Sequence, residues 1–342
     1  MPLVVALEHF GLGNLRPEYR PAEPLGRGLV RIAVNAVSLN YRDVLVVRGT
    51  YAAGLRVPLI PCSDGAGVVL EIGDDVRDLQ PGDRVCTHMV PDWQDGPLAP
   101  RMRLTTLGGP AQGVLCEERV LPSRAVVRIP ETLSFEEAAC LPVAGLTAWC
   151  ALTRDAGIGS GSRVLVLGTG GVSIMALQIA KRLGAHVAVT SSSDAKLARA
   201  KALGADFTAN YRRDPWADMV REWSGGGVDV AIDVGGPGTL EQSMKATRDG
   251  GAVVLIGVQA PSARPADLTD ILTRQIRVQG LFVGSRADLE RYVAFVDSNA
   301  VHPVIDRVFD DLVSARHSFA HLLSGTHLGK VVVRVQTPRR TR

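Results

Sequence analysis

In the first third of the chain, apolar residues alternate with polar or small ones in short runs. Val30, Ile32, Val34 and Ala36 take every second position on the way to Leu39, the period of a strand with one face buried. "GLVRIAVNAVSLN", "GAGVVLEIG" and "PGDRVCTHM" read as such strands, separated by Gly and Pro. Turn residues at intervals of roughly a dozen predict a β-rich, barrel-like unit from Met1 to about Arg128. Residues 91–113, "PDWQDGPLAPRMRLTTLGGPAQG", carry no period and are expected to form a long surface loop, a place where function often resides.

The texture changes near Ile129. Ser134 followed by Glu137 forms a capping box ahead of the helical run "SFEEAACLPVAGLTAWCALT". Strands and helices then alternate: "RVLVLG" and "VSIMALQIAKRLG", "AHVAVTSS" and "SDAKLARAKALG", "GVDVAIDVG" and "TLEQSMKATRDG", then "GAVVLIGV". Gly184 and Gly204 follow two of these helices as left-handed stops. Strands that are continuous apolar runs, each followed by a helix, predict an α/β, doubly wound parallel sheet. After about His302 the β texture returns, and the closing "GKVVVRV" is expected to rejoin the first unit.

The 342 residues are enough for about two domains. With 46% apolar and 21% charged residues the chain has the composition of a folded globular protein, and a net charge of +3 gives no field for nucleic acid. The basic "TPRRTR" is read as a solvated end. "MPLVVALEHFGLGNL" lacks the pattern of a signal peptide, and no apolar stretch approaches the roughly 18 residues of a membrane helix. Five scattered cysteines without a C-x-x-C suggest neither a disulfide framework nor a zinc knuckle, and fit a reducing cytoplasm.

"VLVLGTGGVS" places Gly168, Thr169, Gly170, Gly171 and Val172 between a buried strand and a helix. Glycines there allow a tight turn and close backbone approach to a pyrophosphate, which free N–H groups at the helix start can bind. The G-x-G-x-x-G pattern is met at its first two glycines, and Ser173 stands in the third place. An enzyme selective for NAD carries an acid about 20 residues onward, at the end of the second strand. Here that strand ends in Thr190 and Ser191, with Ser192 and Lys196 nearby, no carboxylate before Asp194, and Tyr211, Arg212 and Arg213 after the next strand. Hydroxyls and cations suit a 2′-phosphate, so NADP(H) is the expected cofactor. The competing role for the serines is to cap the following helix. Asp233, Gly257 and Val258 end later strands and are further candidates at the nucleotide crevice, Asp233 with the alternative of merely fixing its own loop.

Four polar residues, Asn40, Tyr41, Arg42 and Asp43, close the strand in "SLNYRDV", as a turn or as an active-site corner. No Y-x-x-x-K, G-x-S-x-G or H-E-x-x-H set competes with them, and the seven histidines are dispersed.

"NYRDVLVVRGTY", "PLIPCSDGAGVVLEIG", "PGDRV", "LSFEEAACLPVAGLTAW", "VLVLGTGGVS", "SSSDAKLARAKALGAD" and "GKVVVRV", in this order, resemble the medium-chain dehydrogenase/reductase superfamily over essentially the whole chain. The similarity is greatest to its zinc-free, quinone-oxidoreductase-like branch, often labelled simply alcohol dehydrogenase. The resemblance implies a GroES-like catalytic domain built from residues 1–128 and 303–342, an inserted Rossmann domain over 129–302, a cleft between them, and a homodimer. The zinc enzymes of the superfamily place Cys, His and Cys where Asn40, Ser63 and Val143 stand here. Val143 cannot bind a metal, Asn40 and Ser63 are poor ligands, and neighbouring Cys62 or Asp64 alone makes no site. The site is therefore expected to be metal-free, with Asn40, Tyr41 or Arg42 donating to the substrate oxygen and Asp43 orienting them or capping the turn. Tyr51, Trp93, Trp149 and Phe282 are candidates for an aromatic-lined pocket, or for ordinary packing. The expected activity is NADPH-dependent reduction of a quinone, enone, aldehyde or ketone. The alternatives are an alcohol dehydrogenase acting on a simple alcohol or ketone, and a nucleotide-binding sensor without catalysis.

Overall fold

Leu29–Leu39 organises the N-terminal part of the chain. It pairs antiparallel with Asp64–Ile72 on one side and with Lys330–Arg334 and Glu118–Pro122 on the other. The sheet continues through Arg84–Thr87 to Val126–Arg128 at one end and through Ile305–Phe309 at the other. Leu3–Leu7 and Leu15–Tyr19 form a separate antiparallel pair. Gly67 is obligatory here, because a Cβ at that position would meet the Ala33 carbonyl oxygen at 1.8 Å. Strand side chains including Val5, Ile32, Val34 and Val333 pack with Phe319 and Leu322 of the helix Ala315–Ser324 into one apolar core.

The computed structural model describes residues 1–52, 54–260 and 267–335; "TPRRTR" lies outside them. It divides into two units, Met1–Ala144 with Gly284–Arg342, and Gly145–Val283. These divisions fall at 144/145 and 283/284 rather than at the texture changes at 128/129 and 302/303. The short helix Phe135–Ala138 packs on the strands Leu29–Leu39 and Asp64–Ile72, and the helix Arg286–Ser298 packs on Val126–Arg128, so both belong with the first unit. The expected capping box is present: Ser134 Oγ accepts the Glu137 N–H at 3.2 Å and Glu137 Oε2 accepts the Ser134 N–H at 2.8 Å. The helical run beyond it contains two wide π turns, Leu141–Gly145 and Ala151–Asp155, the first around Pro142, which has no N–H to give.

In the second unit, six parallel strands are ordered Phe207–Asn210, His186–Ser191, Arg163–Leu167, Val228–Asp233, Thr247–Leu255, Arg277–Gly280. Numbered along the chain this is 3-2-1-4-5-6, the doubly wound dinucleotide-binding order. Gly184 and Gly204 have φ of +80° and +103° and stop their helices as expected. The helix expected over "TLEQSMKATRDG" is shorter, Leu240–Ala246, because Thr247 already pairs with Val228 as the next strand begins. Among the described residues, no helix is long and apolar enough to cross a membrane.

Candidate active site

Strand register builds a corner within the first unit. Val331 lies opposite Leu39, and Ser38 opposite Asp64. Lys330 and Asp64 therefore arrive on either side of Asn40, where the strand ends and the helix Tyr41–Val47 begins. Asn40 Nδ2 donates to Asp64 Oδ2 at 2.9 Å, and Lys330 Nζ donates to Asn40 Oδ1 at 2.5 Å and to the Leu39 carbonyl at 2.7 Å. A carboxylate accepts only and an ammonium donates only, so the amide can point just one way. Its second Nδ2 hydrogen has no acceptor among the described residues.

Asp64 is fully buried. Oδ1 accepts from Ser63 Oγ at 2.7 Å, and Oδ2 also accepts the Val143 N–H at 3.1 Å. Burial pushes its pKa up, opposed by the Lys330 charge and by the bonds from Asn40, Ser63 and Val143. Asp43 Oδ2 accepts the Asn40 N–H at 2.8 Å. Its pKa is raised to about 6, first by burial, with Arg42 acting against the shift and Asp64 adding to it.

Tyr41 is 38% exposed at the helix start. Arg42, a candidate substrate donor, has both Nη atoms engaged within the corner and only Nε without a partner among the described residues. Nη1 donates to Asp43 Oδ1 at 2.9 Å and to the Leu107 carbonyl at 3.1 Å, Nη2 donates to the carbonyls of Gly108 and Gly109, and the guanidinium lies over the Tyr51 ring at 4.6 Å. Arg42 clamps the end of the 91–113 loop. Tyr51 serves that stack, and Trp93 is buried with Nε1 donating to the Gly96 carbonyl. Trp149 is half-buried and Phe282 partly exposed, both in the second unit.

Sequence reasoning passed over Lys330 and gave Asp64 no role beyond failing as a lone ligand. The available signal for Lys330 was a lysine opening a strand, "KVVVRV", whose next three residues are all valine.

The zinc site of the metal-dependent relatives does not fit these residues. Val143 offers a backbone N–H where a ligand is needed, the Asn40 oxygen is taken by an ammonium, and both Asp64 oxygens accept hydrogen bonds. Among the described residues, no group of three or more His, Cys, Asp or Glu could hold a metal ion.

In the second unit, the candidates collect at the carboxyl edge of the parallel sheet. Gly168 has φ +74°, and a Cβ added at Gly168 or Gly170 would project into open space. Gly170 starts the helix Gly171–Arg182 with no side-chain cap, leaving its first N–H groups for a ligand. Thr169 is buried and Val172 partly so. Ser173, in the third glycine's place, donates from Oγ to the Leu167 carbonyl at 2.7 Å and ties the helix to its strand. This is a cradle a dinucleotide pyrophosphate fits.

Ser191 is buried at the end of its strand, and Tyr211, 49% exposed, donates its N–H to the Ser191 carbonyl. Ser192 and Lys196 are partly buried beside them. Ser193 takes the capping role, accepting the Lys196 N–H at 3.4 Å. Arg213 is paired with Asp194 at 2.7 Å, and Asn210 donates to the other Asp194 oxygen at 2.9 Å. Asp233 is buried and holds its own loop: Oδ1 accepts from Gly235 N, Gly236 N and Thr239 Oγ1, and Oδ2 from Ser243 Oγ. That removes it as a direct cofactor ligand and leaves it a positioning role. Gly257 packs on the Val234 carbonyl, and Val258 is 72% exposed at the same edge.

The alcohol dehydrogenase GroES-like domain model matches residues 26–131, and the zinc-binding dehydrogenase model matches 171–298. A zinc-type alcohol dehydrogenase-like protein of Schizosaccharomyces pombe is 40% identical over 97% of this chain and 98% of its own length. A crystal structure described as an alcohol dehydrogenase of Sinorhizobium meliloti 1021 superposes with a TM-score of 0.92 at 39% identity, covering 97% of this chain and 98% of that one. A quinone oxidoreductase of Pseudomonas syringae pv. tomato DC3000 does so at 0.82 and 26%, covering 98% and 100%. With the doubly wound sheet, its glycine cradle and the GroES-like unit in place, the chain belongs to the medium-chain dehydrogenase/reductase superfamily and is an NAD(P)-dependent oxidoreductase.

Proposed function

We propose that the protein is an NADPH-dependent, zinc-independent reductase of a quinone, enone, aldehyde or ketone, with Asn40 as the donor to the substrate oxygen. The observation that carries this is the Asn40 amide, fixed between Asp64 and Lys330 with one N–H left over. Reduction drives negative charge onto the substrate oxygen, and a preorganised donor in a buried site stabilises that charge. Tyr41 is a second donor at the helix start, more exposed and less fixed. Arg42 and Asp43 hold the corner in shape.

The glycine cradle would hold the pyrophosphate, and Ser191, Ser192, Lys196, Tyr211 and Arg212 the 2′-phosphate. Asp194, the first carboxylate after the second strand, is already paired with Arg213, which favours NADPH over NADH. Bound NADPH would supply the hydride. The chain's own residues bind the cofactor's phosphates and the substrate oxygen, which finally takes a proton from water.

Strand Arg277–Gly280 is a free sheet edge among the described residues, and Leu268 and Leu272, in the segment that leads into it, are exposed. An unpaired edge and exposed apolar side chains in the same unit support a homodimer. Five buried cysteines, none of them in a disulfide, support a reducing, cytoplasmic setting.

The test is cofactor consumption against a panel of quinones, enones, aldehydes and ketones, with NADPH and NADH compared, after chelation and metal analysis. Turnover with NADPH in the metal-free protein is expected. Asn40→Ala should lower kcat by about 10²–10³-fold, and Lys196→Ala should raise KM for NADPH more than for NADH. Stoichiometric zinc with activity lost to chelator, or no turnover with any acceptor, overturns the reading. Turnover confined to simple alcohols with NADP⁺ would select the alcohol dehydrogenase instead.

A further inference from the structure

We propose that Lys330 is a positioning residue of this reaction: its buried ammonium balances Asp64, so that the corner can accept a negatively charged substrate oxygen on Asn40. The inference rests on Asn40 being the substrate donor.

The charges at the corner force the point. A substrate oxygen bonded to the spare Asn40 hydrogen sits next to the amide whose other hydrogen is bonded to the Asp64 carboxylate at 2.9 Å. Two negative oxygens would then share one amide nitrogen in a site where Asn40, Asp64 and Lys330 are all at most 9% exposed. Like charges that close, poorly screened, oppose the build-up of charge in the transition state. Lys330 stands on the far side of the same amide, bonded to Oδ1 at 2.5 Å and without a direct ion pair to Asp64. There it offsets the carboxylate and draws electron density through the amide toward Oδ1, making the Nδ2 hydrogens better donors. Arg42 does not take this part: both its Nη atoms are held by Asp43 and by the carbonyls of residues 107–109, and no bond joins it to Asn40 or Asp64 among the described residues.

A purely structural role, tethering the strand end through the Leu39 carbonyl, makes a different prediction about a second-site change. Lys330→Met leaves Asp64 uncompensated and should lower kcat about 100-fold, with KM for NADPH unchanged. Adding Asp64→Asn removes the opposing charge and should return at least about tenfold of that loss, although every Lys330 hydrogen bond is still missing. If Lys330→Met does not fold, the double variant should still fold and have kcat within about tenfold of wild type. A folded double variant no faster than Lys330→Met, or as slow as Asn40→Ala where the single variant is unfolded, overturns the inference and makes Lys330 a tether. Wild-type kcat in Asn40→Ala would instead overturn the reading on which the inference stands.

Discussion

At the scale of residues, "NYRD" divides its work in a way no local pattern announces. Asn40 meets partners 24 and 290 positions away, and Arg42 reaches carbonyls 65 to 67 positions away. That the four polar residues close a strand is visible in the sequence. Which of them retains a hydrogen for a substrate depends on the long-range pairing of Leu29–Leu39 with Asp64–Ile72 and Lys330–Arg334, and that is not visible. The donors were therefore equivalent by residue type and unequal once folded. Arg42 illustrates the consequence. Arg42→Lys keeps the charge but loses the planar fork that bonds Asp43 and the Leu107, Gly108 and Gly109 carbonyls together. A buried network left partly unpaired costs on the order of 3 kcal/mol. We expect a loss of that size in denaturant unfolding, with KM for the acceptor raised as the loop end loosens. Wild-type stability in Arg42→Lys would show that the clamp carries little of the fold.

At the scale of elements, the parallel sheet and its glycine cradle were legible because each strand is a continuous apolar run and each turn needs glycine for a stated reason. The third-glycine departure was legible as a departure only. Its reason, the Ser173 hydroxyl tying helix to strand, exists only in the folded packing of the two elements. The cradle gives a clean separation of binding from folding. Gly170 has φ −77°, and a Cβ there meets no protein atom within 4 Å. Gly170→Ala should stay within about 1 kcal/mol of wild-type stability while raising KM for the nicotinamide cofactor at least several-fold, because the new methyl fills space the pyrophosphate uses. An unchanged cofactor KM would count against this turn as the phosphate site. Gly67→Ala is the opposite case. Its Cβ would lie 1.8 Å from the Ala33 oxygen, so the strands must part, and a loss of about 3 kcal/mol or more is expected, read as a lowered Tm.

At the scale of the whole molecule, the two-unit layout followed from the change in periodicity, but its borders did not. They are set by which sheet a helix packs on, a tertiary fact that periodicity does not encode. The first unit also holds two buried titratable groups whose effects on stability run in opposite directions. Asp43 has its pKa raised from 3.8 to about 6, so between those values the native state holds a proton that the unfolded chain has released. Stability from this group is greatest in acid and is lost as pH rises through about 6. His88 is buried with Nε2 against the Gly284 carbonyl, and burial lowers its pKa from 6.5 to about 4, with Gly284 and Val90 contacts and Asp288 pulling the other way and Arg286 adding to the shift. Between those values the unfolded chain holds the proton and the native state does not, so stability rises with pH across that window and is lost as pH falls. The two windows overlap from about pH 4 to 6, so in the wild type the two slopes oppose each other there. Single variants should expose the hidden slopes. Asp43→Asn should gain stability relative to wild type as pH rises from about 4 to 6, and His88→Gln, which keeps a donor for Gly284, should lose it over the same interval. Adding both changes should return the wild-type slope, with the remaining titrating groups common to all four proteins. Urea unfolding of the four proteins across that range checks it. Parallel pH profiles for all of them would mean that neither group changes its proton affinity on folding, and that the buried corner is wetter than its geometry implies.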